Sequence, residues 1–313
     1  MSNGGKIVIT GAAGLVGQNL IQRMKRKGYT GIVGIDKQPK NTATLRDLNP
    51  GITVVEADLA EGGSWADHFK DATVLVLNHA QIGALTEEPF VANNVTATER
   101  VLSAAKEHKV PYIVHISSSV VNSAARDFYT ETKKAQEKLV LESGIACCVL
   151  RPTLMFGWFD RKHLGWLARF MKRVPVFPIP GDGQYIRQPL YVGDFCNIII
   201  SAIENPRPGQ AYNISGQTRI AFIDLMRQVR SAAKARAAIV RIPYGLFWLL
   251  LSSYAVFDRN PPFTTKQLEA LVTPEEFEVI DWPGIFGVAS TPLSDALNET
   301  FQDPVNSTVV LEF

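Results

Sequence analysis

A tyrosine and a lysine stand four residues apart in the segment F-Y-T-E-T-K-K, at Tyr129 and Lys133. Four residues make about one turn of an α-helix, so both side chains lie on one face if this segment is helical. An ammonium group beside a phenol favours the phenolate and lowers the phenol pKa from about 10. Such a tyrosine can accept the proton of a hydroxyl group, so the pair predicts a general base.

Three serines directly follow the apolar run Tyr112–Ile116, at Ser117, Ser118 and Ser119. The run predicts a strand, and the carboxyl ends of parallel strands are where open α/β sheets bind ligands. Either Ser118 or Ser119 can therefore hydrogen-bond the substrate oxygen that Tyr129 would deprotonate.

A glycine pattern lies near the start of the chain, where residues 10–17 read T-G-A-A-G-L-V-G with glycines at Gly11, Gly14 and Gly17. An apolar run precedes it and an amphipathic stretch follows it, so the pattern predicts a strand, a tight turn and a helix. Glycines in such a turn let the backbone approach a pyrophosphate, whose charge faces the helix N-terminus. The pattern indicates a dinucleotide site.

A carboxylate completes that site. The second apolar run ends in Asp36, nineteen residues after Gly17. A carboxylate accepts hydrogen bonds from both hydroxyls of the adenosine ribose and repels a 2′-phosphate. The sequence therefore predicts NAD rather than NADP, a preference that the following Lys37 could soften.

Strand and helix patterns alternate through the first 150 residues. Two helical stretches are the clearest, Phe90–His108 and Phe128–Ser143. The apolar runs predicted as strands are Ile7–Ile9, Ile32–Ile35, Thr53–Val55, Val74–Leu77, Tyr112–Ile116 and Ala146–Leu150. Apolar strands that alternate with helices predict an α/β fold, a Rossmann-type doubly wound parallel sheet with helices on both faces.

The pattern changes at about Arg151, where prolines and glycines become frequent. We predict an NAD-binding domain over residues 1–150 and a smaller, mainly substrate-binding part over 151–313. Residues of about 189–215, with a helix Asp194–Glu204 and a strand Ala211–Ile214, are expected to return to the first domain.

Taken together, the motifs resemble the extended short-chain dehydrogenase/reductases of the NAD-dependent epimerase/dehydratase family, and the resemblance covers most of the chain. The glycine pattern resembles the family's T-G-x-x-G-x-x-G. The other similar segments are Asp58-Leu59, Asn78-His79-Ala80, N-V-T-A-T at 94–98, Arg151-Pro152 with Phe156-Gly157, V-G-D at 192–194 and Tyr212-Asn213-Ile214.

The resemblance implies an NAD-dependent enzyme and assigns roles to individual residues. The catalytic residues it implies are Tyr129, Lys133 and Ser118, with Ser119 as the alternative hydroxyl. The substrate-binding residues it implies are Ser118, Ser119 and Arg187, the last holding a diphosphate. The NAD-binding residues it implies are Gly11, Gly14, Leu15, Val16, Gly17, Asp36, Asp58, Leu59, Asn78, His79, Ala80, Asn94, Ser117, Tyr129, Lys133 and Pro152.

Two departures from the family pattern bear on function. Tyr129 follows Ser118 by only eleven residues, whereas members usually have a longer loop there. A shorter loop implies a more open pocket or a differently placed triad. Ser119-Val120 also replaces the acid pair of the 4,6-dehydratases, which argues against dehydration because eliminating water needs an additional acid and base.

Three functions remain open. The first is a sugar-nucleotide 4-epimerase, in which Tyr129 deprotonates a ring hydroxyl and NAD is regenerated in each turnover. The second is a net NAD-dependent dehydrogenase that acts on a hydroxyl of a sterol, a lipid-linked sugar or another alcohol. The third is a catalytically silent NAD-binding sensor or assembly subunit.

The composition excludes several other classes. Lys and Arg number 32 against 30 Asp and Glu, and this near balance gives no electrostatic reason to expect nucleic-acid binding. Three cysteines form no disulfide framework, and the first residues show no apolar targeting core, so we expect a cytoplasmic protein. His79 and His115 lack metal-ligand partners at useful spacing, and no metal is expected.

One apolar segment, 242–257, is too short to span a bilayer, which takes about 20 apolar residues. A buried or interface helix is favoured here over a membrane-surface helix, and membrane association is not expected. By resemblance, we expect a homodimer that forms through the two helical stretches named above.

Overall fold

The computed structural model describes residues 4–257, 265–273 and 277–312. In chain order, the strands are β1 (Lys6–Thr10), β2 (Ile32–Asp36), β3 (Thr53–Glu56), β4 (Ala72–Leu77), β5 (Tyr112–Ile116), β6 (Ala146–Pro152), β7 (Met155–Phe156), β8 (Val176–Pro180), β9 (Ile186–Arg187), β10 (Leu190–Tyr191), β11 (Gln210–Ile214), β12 (Ile220–Ala221) and β13 (Ala238–Ile242). The helices are α1 (Leu15–Arg26), α2 (Pro39–Leu48), α3 (Glu88–Phe90), α4 (Ala97–Glu107), α5 (Phe128–Leu141), α6 (Leu164–Arg173), α7 (Val192–Glu204), α8 (Phe222–Ala232), α9 (Tyr244–Phe257), α10 (Thr265–Val272), α11 (Trp282–Phe286) and α12 (Leu293–Gln302).

Seven strands form one sheet in the order β11-β6-β5-β4-β1-β2-β3. Each neighbouring pair is parallel, which confirms the predicted Rossmann-type fold. The chain leaves β1 towards β2 on one side, whereas β4 lies on the other side. The loops after β1 and β4 therefore diverge, and such a switch point is where doubly wound sheets bind ligands.

Helices cover both faces of the sheet. Successive side chains of each strand point to opposite sides, and because the strands are apolar, both faces must be covered. Ile7 and Ile9 of β1 pack in one core cluster with residues of α1 and α7. Val8, between them, packs in a second cluster with residues of α4.

The predicted helix Phe90–His108 is interrupted. Residues 91–96 form a π-helical turn that joins α3 to α4. Such turns occur frequently at functional sites, and this one carries Asn93 and Asn94 beside the loop that follows β4. The second predicted helix begins at Phe128 as expected and ends at Leu141.

Beyond β6, strand β11 returns to the main sheet and pairs with β6. The other strands pair in twos outside the main sheet: β7 with β10, β9 with β12, and β8 with β13. No helix in the described ranges is both long enough and apolar enough to cross a bilayer. The sequence favours a buried or interface helix at 242–257, and α9 is not a buried helix, since Leu246, Leu249 and Leu250 are each at least half exposed.

Candidate active site

A cavity of about 700 Å³ opens at the carboxyl ends of β1, β2, β4, β5 and β6. It brings together most of the residues that the sequence singles out. The predicted residues that line it are Gly11, Gly14, Leu15, Val16, Asp36, Asp58, Leu59, Asn78, His79, Ala80, Ser117, Ser118, Ser119, Tyr129, Lys133 and Pro152.

Each of the three glycines in the turn between β1 and α1 is required, or suited to its position, for a different reason. Gly11 has a φ of +62°, and a Cβ there would lie 2.7 Å from the Cα of His79. A Cβ on Gly17 would lie 2.4 Å from the carbonyl oxygen of Ala12, so this glycine allows α1 to pack on the turn. At Gly14, the nearest atom to a Cβ is a backbone oxygen at 3.4 Å, and the residue faces the cavity.

The amino end of α1 fits a pyrophosphate. Its first turn carries no acidic residue, and Gly14 provides no side-chain cap for the helix. The first N–H groups of a helix are unpaired within it and attract negative charge. Gly14 therefore lies where a dinucleotide can approach the backbone, and the residues present fit NAD.

Asp36, predicted from the sequence to bind the adenosine ribose, ends β2 and lines the cavity. Its carboxylate accepts hydrogen bonds from the Ala13 N–H at 3.0 Å and from the Gln38 N–H at 3.1 Å. Burial raises the pKa of Asp36, and these hydrogen bonds oppose that rise. Lys37 forms an ion pair with Asp58 at 3.0 Å, so much of its charge is already compensated near the cavity.

Tyr129 lies in the first turn of α5, which Asp127 caps by accepting a hydrogen bond from the Thr130 N–H at 3.0 Å. Burial raises the pKa of the Tyr129 phenol, and a hydrogen bond with Ser118 lowers it. The short loop therefore still lets the phenol reach Ser118. The predicted lowering of this pKa by Lys133 is not found.

Lys133 is buried, and its ammonium donates to the carbonyl oxygen of Ile116 at 3.1 Å and to the side chain of Gln136. Burial lowers its pKa to about 7, while the carboxylate of Glu137 acts in the opposite direction. These contacts explain why its charge does not act on Tyr129 as the sequence predicted.

A buried ion pair behind the cavity was not predicted. Glu137 accepts two hydrogen bonds from Arg151 Nε and Nη2 through one carboxylate oxygen, and a 2.5 Å hydrogen bond from the Ser117 hydroxyl through the other. No short sequence pattern signals this contact, because Glu137 lies on α5 and Arg151 lies on β6.

His79 and His115 are both buried, and His79 also lines the cavity. His79 Nδ1 lies 2.8 Å from the Thr10 hydroxyl, and its Nε2 lies 3.0 Å from the Thr98 hydroxyl. Burial, followed by the charge of Lys133, lowers the pKa of His79 to about 3, so the ring is neutral. Burial also lowers the pKa of His115 well below its usual value.

Three predicted residues do not line the cavity: Gly17, Asn94 and Arg187. Asn94 is buried, and its side chain accepts from the Gln81 N–H at 2.7 Å and donates to the Thr132 hydroxyl at 3.0 Å. Arg187 donates to the carbonyl oxygens of Leu271 and Thr273 at the end of α10. A diphosphate-binding role for Arg187 stays a prediction.

Two other cations do line the cavity, Arg161 and Lys162. The carboxylate of Asp160 shapes their loop by accepting hydrogen bonds from the Lys162 N–H at 3.0 Å and the His163 N–H at 2.9 Å. A Cβ on Gly83 would lie 3.4 Å from the Lys162 ammonium nitrogen, so the loop faces the segment after β4. Burial and then the charge of Arg161 lower the pKa of Lys162.

Comparison with known proteins agrees with this arrangement. The profile of the NAD dependent epimerase/dehydratase family matches residues 7–215. A dTDP-glucose 4,6-dehydratase from an Actinoplanes species is 24% identical over 273 residues, which cover 75% of this chain and 85% of that protein. A ceramide reductase from Caulobacter vibrioides is also 24% identical, with coverage of 76% and 74%.

Among solved structures, UDP-glucuronic acid 4-epimerase from Bacillus cereus in complex with NAD has a similar fold. The TM-score is 0.72 at 22% identity, and the alignment covers 95% of each chain. At this identity, the likeness establishes the fold alone.

The fold and the cavity define a dinucleotide-dependent enzyme of the extended short-chain dehydrogenase/reductase type. The chain belongs to the NAD-dependent epimerase/dehydratase family, and its cofactor is NAD. The alternative of a catalytically silent binding protein is therefore not retained.

Proposed function

We propose that this chain is a 4-epimerase of a nucleotide sugar. The observation that carries the proposal is that one cavity contains both the hydrogen-bonded hydroxyls of Ser118 and Tyr129 and the cations Arg161 and Lys162. A nucleotide sugar has two matching parts, a hydroxylated ring and a diphosphate. The similar dehydratase and 4-epimerase both carry a nucleotide sugar in their names.

When bound, NAD supplies the group that takes a hydride from the sugar carbon and returns it to the opposite face. Tyr129 accepts the proton of the hydroxyl on that carbon and later gives it back. Ser118 donates a hydrogen bond to the same oxygen and holds it near the phenol. Because the hydride and the proton both return, the reaction causes no net oxidation.

The cationic loop would hold the diphosphate. Arg161 and Lys162 are neighbours in sequence, and the positive charge of Arg161 lowers the pKa of Lys162. An anion between them relieves this repulsion, and hydrogen bonds between charged groups are about twice as strong as neutral ones. This proposal differs from the sequence-based prediction of Arg187, whose guanidinium contacts the end of α10.

The test combines a stereochemical readout with a redox readout. Purified protein is incubated with NAD and a panel of UDP- and dTDP-hexoses, and the sugar configuration is followed by NMR while NADH absorbance is recorded. We expect inversion at the C4 carbon of one sugar without lasting NADH. Stoichiometric NADH without inversion would contradict the proposal.

A second candidate is an NAD-dependent dehydrogenase that acts on a lipid hydroxyl. The observation that favours it is the exposed apolar surface of α9, with Leu246, Leu249 and Leu250 at 50–55% exposure. The similarity to a ceramide reductase agrees with this alternative. The same assay with hydroxylated lipids distinguishes it, because only a dehydrogenase accumulates NADH.

A further inference from the structure

We propose that the apolar helix α9 and the adjoining strand pair dock this protein onto the surface of an anionic membrane. The contact is peripheral and does not depend on which substrate the enzyme uses.

Helix α9 is apolar on every side and yet exposed. Its 14 residues include no charged side chain. Tyr244, Leu246, Trp248, Leu249 and Leu250 are each 40–55% exposed. A helix that is apolar all round is normally buried, so a surface of this kind needs an apolar neighbour.

The exposed surface continues onto the strand pair from which α9 emerges. Val176 of β8 pairs with Ala238 of β13 in a parallel register, so Val176, Ala238 and Val240 share one face. Val176 is 46% exposed and Val240 is 42% exposed, whereas Phe177 on the other face is buried. We call the five helix residues together with Val176 and Val240 the α9 patch.

Basic residues predominate around the α9 patch. The two segments that carry it, 164–181 and 228–257, contain seven Lys and Arg and no Asp or Glu, although the whole chain has 32 basic and 30 acidic residues. Helix α10, which packs against α9, adds one residue of each sign, Lys266 and the exposed Glu269. Five of the seven are exposed, namely Lys172, Arg173, Lys234, Arg236 and Arg241. None of these five forms an ion pair with another residue in the described ranges.

This combination selects a lipid surface with negative charge over a second copy of the chain. A twofold dimer through the patch would place one set of these cations against an identical set, which costs free energy. An anionic leaflet attracts the cations while its hydrocarbon accepts the leucines. Tyr244 and Trp248 are residue types that concentrate at membrane–water interfaces.

The geometry of α9 limits the contact to the interface. A helix of 14 residues is about 21 Å long, whereas the hydrocarbon core of a bilayer is about 30 Å thick. The helix can lie in the headgroup region but cannot cross the bilayer.

Co-sedimentation of the full chain with vesicles tests the proposal. We compare phosphatidylcholine vesicles with vesicles that also contain phosphatidylglycerol, at low and high salt. We expect binding to the anionic vesicles that weakens as salt increases. No binding to either vesicle would overturn the proposal.

A matched pair of substitutions tests the patch itself. Leu249 is 55% exposed and Val305, far from the patch in sequence, is 54% exposed. Leu249→Glu should weaken partitioning by about tenfold or more, because an apolar side chain leaves the lipid and a charge replaces it. Val305→Glu should leave partitioning nearly unchanged, and equal loss in both variants would contradict the proposal.

The cations are tested in the same way. Lys234→Glu with Arg236→Glu should abolish the preference for anionic vesicles, whereas Lys70→Glu with Lys106→Glu, at exposed sites elsewhere, should retain most of it. Light scattering records the mass of each variant. If Leu249→Glu converts a dimer to a monomer and vesicles never bind, the patch is an interface between copies and the membrane proposal is wrong.

Fluorescence quenching tests the patch without changing its charge, so the result does not depend on whether a charge variant folds. Brominated lipids should quench the fluorescence of Trp248, and Trp248→Phe identifies its share of the signal. Absence of quenching with vesicles bound would place another surface at the membrane.

Discussion

The phenol of Tyr129 is protonated at neutral pH, since burial raises its pKa and the hydrogen bond with Ser118 only partly offsets this. In the absence of other charges, the phenolate that accepts a proton is therefore a minor species. A positive charge from bound cofactor, or a higher pH, increases its population. Turnover should therefore increase towards higher pH as the Tyr129 phenol loses its proton.

Tyr129→Phe removes the proton acceptor and keeps the ring. We expect turnover to fall by about two to four orders of magnitude, which is the usual contribution of a general base. Affinity for NAD, measured by calorimetry, should change little. Unchanged turnover would remove Tyr129 from the mechanism.

Ser118→Ala removes a hydrogen bond that lowers the pKa of Tyr129. The pKa of the phenol should rise, so the increase of kcat/KM with pH should move to higher pH. Ser119 lines the same cavity, and Ser119→Ala serves as the matched control. A shift in the Ser119 variant alone would assign the hydroxyl to Ser119.

Lys162→Ala tests the diphosphate assignment. We expect KM for a nucleotide sugar to rise by about tenfold, with a smaller effect on kcat, because one charge-assisted hydrogen bond is lost. Arg187→Ala, whose guanidinium contacts the end of α10, is the comparison. If only the Arg187 variant raises KM, the sequence-based assignment was right and the cationic loop is not the site.

At the scale of residues, the sequence predicts those functional positions whose structure depends on neighbouring residues in the chain. Gly11, Asp36 and Tyr129 are recognisable because a turn, a strand end and a helix turn each leave a short signature. The contact between Glu137 and Arg151 joins α5 to β6 and has no such signature. The pKa direction of Tyr129 was missed because it depends on burial and on where the Lys133 ammonium points.

At the scale of elements, two glycines in the turn between β1 and α1 have different roles, one in packing and one at the cavity. Gly17 lets the helix lie against the turn, since a Cβ would meet the Ala12 carbonyl oxygen at 2.4 Å. Gly14 faces the cavity, and a Cβ there meets only a backbone oxygen at 3.4 Å. The same substitution at the two positions should therefore have different consequences.

Gly17→Ala should destabilise the fold by about 1–3 kcal/mol, the usual cost of overpacking. Gly14→Ala should change the free energy of unfolding by less than about 0.5 kcal/mol and should weaken NAD binding, because its methyl group enters the cofactor space. Urea unfolding and NAD titration of both variants check this. If both substitutions lowered the free energy of unfolding equally, the assignment of Gly17 to packing and of Gly14 to the cavity would be wrong.

The elements themselves were largely predictable. Apolar runs such as Ile7–Ile9 and Tyr112–Ile116 are buried on both faces, and this leaves a continuous apolar signal. The π-helical turn was not predictable, since its sequence V-A-N-N-V-T fits an ordinary helix. Asn94 in this turn forms hydrogen bonds with Gln81 and Thr132, which lie elsewhere in the chain, and such distant contacts leave no local signature.

At the scale of the whole molecule, a buried lysine links stability to pH. The pKa of Lys133 falls from its ordinary 10.5 to about 7 in the folded chain. Between these two values, the unfolded chain binds a proton that the folded chain does not. Stability from this group therefore increases as pH rises from about 7 towards 10.5.

Lys133→Met should flatten that increase. Lys138→Met, on the same helix with a side chain 72% exposed, should retain it. The measurement is the free energy of unfolding at pH 7 and at pH 9, without added NAD. Parallel pH dependence in the Lys133 variant and the unaltered chain would contradict a lowered pKa.

The homodimer through α4 and α5 stays a prediction, and so do the domain limits at residue 150. The parallel sheet was predictable because strands and helices alternate regularly in the sequence. The way the segments after β6 close the cavity was not predictable, because it depends on distant parts of the chain such as Leu311 and Glu312.

The π-helical turn at residues 91–96 has a consequence for insertions and deletions. It holds one residue more than an ordinary turn, which rotates everything after it by about 100° around the helix axis. Losing a single residue there would re-phase the helix. The side chain of Asn94 would then point in another direction. The hydrogen bonds by which Asn94 links the backbone of Gln81, which lines the cavity, to Thr132 on α5 would be lost.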